Sequence, residues 1–516
     1  MSVKTWRSPS NCHPRYPIYS WSDYLWSDII GVFSQPSLLG HPLVHPSTRA
    51  QPPLSFIPPA FDLRVLALTR LALPYWMRWH EQIRQVDVVN VDGLVHLLKA
   101  FNAGETRFLL AFRHPSPLDP YCLADLMWRA VPQRARELGI DLKRPVHAHF
   151  IYDRGIPLWA GSWVGWVYSR LGGTPIQRGK VDRQGLRSAR HLLANGTMPL
   201  AAAPEGGNNG HTEIVSPLEP GVAQMGFWCA EDMLSQGRAE QVVILPLGIS
   251  YRYLTPPWKE LDRLLNSLEG ENGLADPTTV YALGDTAAAA IEQRYRRLYS
   301  LGEHLLTLME GHYNRVYGSA LLSPTPRDDS RPLDASRSDP FRKRLEALMN
   351  AALEVVETYF KLPPRGSLID RCRRIEQAGW ERIFRQDLAK DRPLSSVERG
   401  LADREAEEAA LRMWHMRLVE NFVAVTGQYV RQRPSAERFA ETVMILRDTV
   451  CLVQGKNPFP RPKLGPQRAL LTVGEPLSVS DRFPDYKASR KRAVAQLTAD
   501  LQAALEAMIA PSDKTP

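Results

Sequence analysis

The sequence predicts an α/β protein, a largely parallel sheet flanked by helices and enlarged by a large all-helical insertion. Three observations predict it. Short apolar runs, RFLLAF (107–112), VHAHFIY (146–152), MPLAAA (198–203) and QVVILPL (241–247), alternate with longer helical stretches, the pattern of buried strands joined by crossover helices. No such run occurs from about 256 to 465, where apolar residues step by three and four instead. Finally ALLTVGEPL (469–477) restores a strand and a turn. One strand and one helix can hardly bury a core of their own, so they are expected to complete the earlier sheet.

Taken in order, residues 1–60 hold ten prolines, three tryptophans and six charges without periodicity. They read as an irregular segment that packs extended or orders on something apolar. Residues 61–255 form the α/β unit, opening with a helical stretch from Phe61 to Val86. Within 256–465, Phe341, Leu345, Leu348, Ala352, Val355 and Tyr359 mark one apolar helix face, and Leu411, Trp414, Leu418, Phe422, Val425 and Tyr429 another. SPTPRDDSRPLDASRSDP (323–340) interrupts this block as a flexible linker. In 466–510 a final helix carries Val494, Leu497, Leu501, Leu505 and Met508 on one face.

Composition narrows the class. The 516 residues are 44% hydrophobic and 23% charged, which excludes disordered and fibrous chains. Cys12, Cys122, Cys229, Cys372 and Cys451 are scattered with no CxxC pair, so neither a disulfide framework nor a zinc site is expected, and a reducing compartment is. The start lacks a continuous apolar h-region, so secretion is not expected. The stretch GIPLWAGSWVGWVYS (155–169) is uncharged but falls short of the about 20 residues that span a bilayer. With 64 Lys+Arg against 55 Asp+Glu the net charge is +9, compatible with an anionic membrane surface, nucleic acid or an acidic protein.

Three motifs carry chemistry. In RHPSPLDP, His114 and Asp119 follow the strand RFLLAF, which delivers them to the carboxyl edge of a parallel sheet, where such folds place their sites. A carboxylate beside an imidazole fixes its tautomer and raises its basicity, making His114 a plausible general base for a hydroxyl; a helix cap is the blander reading. In GGTPIQRGKVDR, Arg178 and Lys180 follow a short extended segment, Thr174 to Gln177. They suit a phosphate, Arg178 by its fork and Lys180 as a point charge, or form a solvated basic turn. In APEGGNNGH (203–211), Glu205 leaves a strand beside glycines that let a substrate approach the backbone; the segment lacks the GK[ST] ending of a P-loop.

Together the HPSPLD, GGTPIQR, PEGG and VVILPLGIS (242–250) segments, each at a strand end and in this order, resemble the four motif blocks of the glycerophospholipid acyltransferase family. That family includes the bacterial lysophosphatidic acid acyltransferases. VGEPL (473–477) resembles its closing strand and turn. The resemblance implies a glycerolphosphate-acyltransferase-like fold and the transfer of a fatty acyl group from a thioester to a lysophospholipid hydroxyl, with 1-acylglycerol 3-phosphate as acceptor and phosphatidate as product. By the same resemblance His114 is the base, Asp119 orients it, Arg178 with Lys180 binds the acceptor phosphate, Glu205 and Gly206 hold its glycerol end, and Pro246 shapes the pocket floor. No metal or redox cofactor is called for; the co-substrate is acyl-CoA or an acyl-carrier-protein thioester. Backbone N–H groups near Ser116 or at Gly206 and Gly207 are natural donors to the oxyanion. The implied setting is phospholipid biosynthesis at the cytoplasmic face of a membrane, as a peripheral protein with membrane lipids and no nucleic acid as partners; oligomeric state is not indicated.

One departure matters. Where the family commonly continues Pro-Glu-Gly with Thr-Arg-Ser, this chain has Gly207, Asn208 and Asn209, removing a cation from the expected phosphate site. Glycerol 3-phosphate or another lipid alcohol is then an alternative acceptor, and a catalytically silent membrane-bound scaffold the rival from a different class. Trp159, Trp163 and Trp166 fall at i, i+4 and i+7, a helical face suited to a membrane interface or to packing. His147 and His149 read as buried strand histidines. The arginines of RCRRIE (371–376) suggest a basic helix face that is solvated or meets headgroups or an acidic carrier protein.

Overall fold

The computed structural model describes residues 48–177, 182–274, 286–321, 335–389, 394–422, 425 and 427–509. The proline-rich start up to residue 47 and most of the 323–340 linker lie outside them. Residues 48–62 carry no helix or strand, and Gln51 bridges to Phe384.

Helix α1 (Leu63–Tyr75) starts where Asp62 accepts a hydrogen bond from the Arg64 amide at 2.8 Å. It runs into a π-turn (Trp76–His80) and then strand β1 (Ile83–Val89). The sequence suggested one helix as far as Val86; instead the alternating stretch IRQVDVV is extended and pairs parallel with the strand at 467–473. Partnering across the sheet decides such a short segment, and that partner lies more than 370 residues on. The chain continues through α2 (Val91–Ala103), β2 (Thr106–Phe112), α3 (Asp119–Asp125), α4 (Val131–Glu137), β3 (His149–Asp153), α5 (Ile156–Ala160) and α6 (Ser162–Arg170). Next come β4 (Gly173–Ile176), α7 (Arg183–Asn195), β5 (Leu200–Ala202), α8 (Gly221–Ser235) and the long β6 (Gln241–Tyr253).

Helices α9 (Trp258–Glu271), α10 (Ala287–Tyr317), α11 (Ala335–Phe360), α12 (Leu368–Ile383), α13 (Ser396–Phe422), α14 (Tyr429–Gln432) and α15 (Ala436–Val453) follow without an intervening strand among the described residues. Residues 335–340, read as linker, open α11 and hold its Pro340. The end of the chain gives β7 (Gln467–Val473), β8 (Leu477–Ser478), α16 (Phe483–Ala488) and α17 (Arg490–Ala507).

The sheet has eight strands in the order β1-β7-β6-β2-β5-β3-β4, with β8 also on β6. From β6 to β4 all neighbours are parallel, whereas β7 and β8 run antiparallel to β6. All seven residues of β2 are buried, as a central strand covered on both faces requires. Phe108, Leu110 and Phe112 face Leu94, Leu98, Leu126 and Val131 from α2 to α4. Leu109 and Ala111 face Ala189, Leu193, Phe227 and Leu497 from α7, α8 and α17. Pro246 sits in mid-strand opposite Ala111, its carbonyl accepting from the Gly474 amide at 3.0 Å. Its missing N–H therefore points into the gap between the β8 and β7 pairings, where proline costs the sheet no ladder bond.

The helical block has cores of its own. Leu353, Ile375, Ala406 and Met416 centre one, and Leu265, Leu301, Phe439 and Val443 the other. Arg371, the first of the RCRRIE arginines, is buried in a fork with Glu357 at 2.8 and 2.7 Å, so that segment is not simply a solvated basic face.

Candidate active site

Because β2, β5 and β4 are parallel, residues 113–119, 203–216 and the chain after Ile176 leave the same, carboxyl, edge of the sheet. The prolines after His114 turn the chain sharply into α3, whose first residue is Asp119. His114 Nδ1 lies 2.8 Å from Asp119 Oδ2. A carboxylate can only accept, so Nδ1 carries the hydrogen and Nε2 keeps its lone pair. The imidazole is about one quarter exposed while Asp119 is fully buried. The arrangement fixes the orientation of the imidazole ring.

Asp119 has further donors. The Ser116 amide reaches Oδ2 at 3.0 Å, and the Tyr251 hydroxyl reaches Oδ1 at 2.5 Å. Tyr251 is fully buried on β6, and burial beside Asp119 pushes its pKa well above the ordinary value, so it stays a donor. The Ser116 amide, expected among the oxyanion donors, is thus engaged by Asp119. The Gly206 amide makes a long 3.4 Å contact to the Ala203 carbonyl.

Glu205 is buried with both oxygens facing the protein. Oε1 accepts from the His114 amide at 2.8 Å, and Oε2 from the Ser216 amide and Asn209 Nδ2, each at 2.9 Å. Its carboxylate therefore fixes the His114 backbone. Arg113 Nε approaches Glu205 at 3.7 Å, and its two NH groups donate to the carbonyls of His211, Thr212 and Ile214. One arginine ties the strand end to the 205–216 turn. Gly206 takes a φ of +68°, a backbone conformation that strains residues with a side chain.

Arg178 and Lys180 lie outside the described residues. On either side of them the described residues are joined: Asp182 caps α7 through the Gly185 amide at 3.1 Å, and also accepts from the Gln177 amide at 2.9 Å and from Arg154 at 2.5 Å.

Neither strand histidine is a ligand in waiting. His147 lies just before β3; it accepts from Trp128 Nε1 at 3.1 Å and donates to the Leu171 carbonyl at 2.9 Å. Burial lowers its pKa to about 4. His149 donates to the Gly172 carbonyl at 3.0 Å. The tryptophans do not share one helix, because Gly161 (φ +97°) breaks the stretch between α5 and α6. On α6, Trp163 and Trp166 are about half exposed.

Sequence reasoning missed Tyr251, Arg113 and Asn209. An arginine directly after the apolar run FLLAF (108–112) is a usable signal for Arg113. Nothing local marks Tyr251, which meets Asp119 from 132 residues away.

Residues 88–250 match the Acyltransferase family. Over this stretch, less than half of the chain, the protein is similar to acyltransferase domains, which supports a general acyltransferase role. No curated protein and no solved structure gave a match.

Proposed function

We propose that the protein transfers a fatty acyl group from a thioester to the hydroxyl of a lysophospholipid, with 1-acylglycerol 3-phosphate as acceptor and phosphatidate as product. The observation that carries the reading is the buried Asp119 carboxylate on His114 Nδ1, which leaves Nε2 to take the hydroxyl proton as the oxygen attacks the thioester carbonyl. The proton then goes to the departing thiolate, and an ester replaces the thioester. Asp119 stabilises the imidazolium formed meanwhile, and Glu205 fixes the His114 backbone. Arg178 and Lys180 are assigned to the acceptor phosphate, Gly206 to the approach of its glycerol end, and the amides of Gly206 and Gly207 to the oxyanion.

The reaction is placed at a membrane surface in phospholipid biosynthesis, on the cytoplasmic face. Leu68, Leu71, Tyr75 and Trp79 follow one another at three- and four-residue steps along α1 and its π-turn, and all are more than half exposed. The opposite side of α1 buries Leu66 and Leu73. Residues 63–80 hold Arg64, Arg70 and Arg78 and no acidic residue, a composition suited to an anionic lipid surface. The chain before α1 bonds to the end of α6 through Ala60–Ser169 and Asp62–Arg170, so Trp163 and Trp166 belong to the same region. No helix among the described residues is long and apolar enough to cross a membrane.

Gly207–Asn208–Asn209 favours a second reading. Asn209 serves Glu205 and Asn208 caps the Gly210 amide, so neither supplies the missing cation, and glycerol 3-phosphate or another lipid alcohol becomes an alternative acceptor. A panel of labelled acyl-CoA and acyl-carrier-protein thioesters against lysophosphatidate, glycerol 3-phosphate and neutral lysolipids decides between them. Lysophosphatidate is expected to be the preferred acceptor; preference for another acceptor overturns that assignment, and no transfer to any acceptor overturns the reaction.

A further inference from the structure

The 204–216 turn holds Glu205, and through it His114, yet it is irregular and carries three glycines. Much of what fixes it comes from the helical block. Glu441 of α15 accepts from the Thr212 amide at 3.0 Å and, on its other oxygen, from the Tyr429 hydroxyl at 2.6 Å. The Glu213 side chain is buried, and the Arg438 guanidinium lies on its carboxylate at 2.7 and 2.8 Å, with Arg252 of β6 at 2.9 Å and Arg433 at 3.8 Å. Arg438 also lies over the Tyr429 ring at 4.3 Å, and that ring meets His211 edge-on at 4.9 Å. At the other end of the turn, Arg373 of α12 donates to the Gly206 carbonyl and to Glu219, each at 3.2 Å. Arg373 is further engaged by Glu376 and Glu420, so its charge is already balanced and a clamp suits it better than a phosphate site.

We propose that the helical block is a clamp on the catalytic turn, with Arg438, Glu441 and Arg373 as positioning residues that hold Glu205 against the His114 amide. The contacts run in series: Arg438 and Glu441 fix Glu213 and Thr212, Arg113 ties the Thr212 carbonyl to the end of β2, and Glu205 closes the chain on the next residue, His114. A block that only covered the sheet would have no need to bond the backbone of this turn from α12 and α15 together.

The kinetic part of the test rests on the acyltransferase reading; the exchange part does not. Amide hydrogen exchange of the full chain is compared for wild type, Arg438→Met and Arg438→Lys, alongside steady-state transfer from palmitoyl-CoA to lysophosphatidate. Arg438→Met is expected to speed exchange across 204–216 at least tenfold while β2 and β6 stay protected. It is also expected to lower kcat at least tenfold, with less than a twofold change in KM for the thioester. Arg438→Lys, which keeps a cation on Glu213, should recover part of both. Unchanged exchange in the turn overturns the clamp, as does a loosened turn with an unchanged kcat. Arg373→Met gives the same readings should Arg438→Met fail to fold. If wild type transfers no acyl group, the acyltransferase reading fails and exchange alone decides the clamp.

Discussion

Asp119 is held from both oxygens, and the donor on Oδ1 is Tyr251. A hydrogen bond to a charged acceptor contributes about 1.5–3 kcal/mol, and about 1.4 kcal/mol is a factor of ten. Tyr251→Phe is therefore expected to lower kcat by about ten- to a hundredfold with little effect on KM. An unchanged kcat would reduce Tyr251 to packing. His114 and Asp119 were legible from the sequence because a strand, a proline-stiffened turn and a helix start fix them within six residues. Tyr251 was not, since its link to Asp119 exists only once β6 lies beside β2.

Among the elements, α1 and α6 present apolar residues outward, and a membrane role has a direct test. A half-exposed indole covers on the order of 100 Å2, and its burial in lipid contributes roughly 2.5 kcal/mol at ~25 cal/mol per Å2. Each of Trp163→Ala and Trp166→Ala should weaken binding to anionic liposomes more than tenfold while leaving Tm within about 2 °C, since neither ring is core. A fall in Tm with unchanged liposome binding would place both rings in packing. The sequence offered the three tryptophans as one face because periodicity assumes an unbroken helix; Gly161 breaks it. For β1, a seven-residue alternating run after a helix reads as a helical continuation until a distant partner strand is known. Strands β2 and β6 were legible because continuous burial on both faces leaves a continuous apolar run.

At the scale of the whole molecule, buried titratable groups set the response to pH. His147, His211 and His415 are each lowered to about 4, chiefly by burial. The folded chain leaves them neutral while the unfolded chain protonates them below about 6.5, so the stability they contribute is full above that pH and is lost as pH falls toward 4. Glu441 acts in the opposite sense. Burial raises it from 4.5 to about 7, so the folded chain keeps a proton that the unfolded chain loses, and stability falls as pH rises from 4.5 to 7. Between pH 4.5 and 6.5 unfolding thus takes up as many as 3 − 1 = 2 protons on these groups. That amounts to at most about 2.7 kcal/mol per pH unit. Denaturant midpoints should fall on acidification in this window, and Glu441→Gln should steepen the fall. A midpoint that rises on acidification would contradict this assignment.

The central claim is that His114, oriented by Asp119, removes the acceptor proton. Its most direct test is acyl transfer from a labelled thioester by purified wild type and His114→Ala, with the folding of both verified. We expect phosphatidate from lysophosphatidate with wild type and a rate lower by about 10^2–10^4-fold in the variant. Equal turnover by a folded His114→Ala protein would contradict the account.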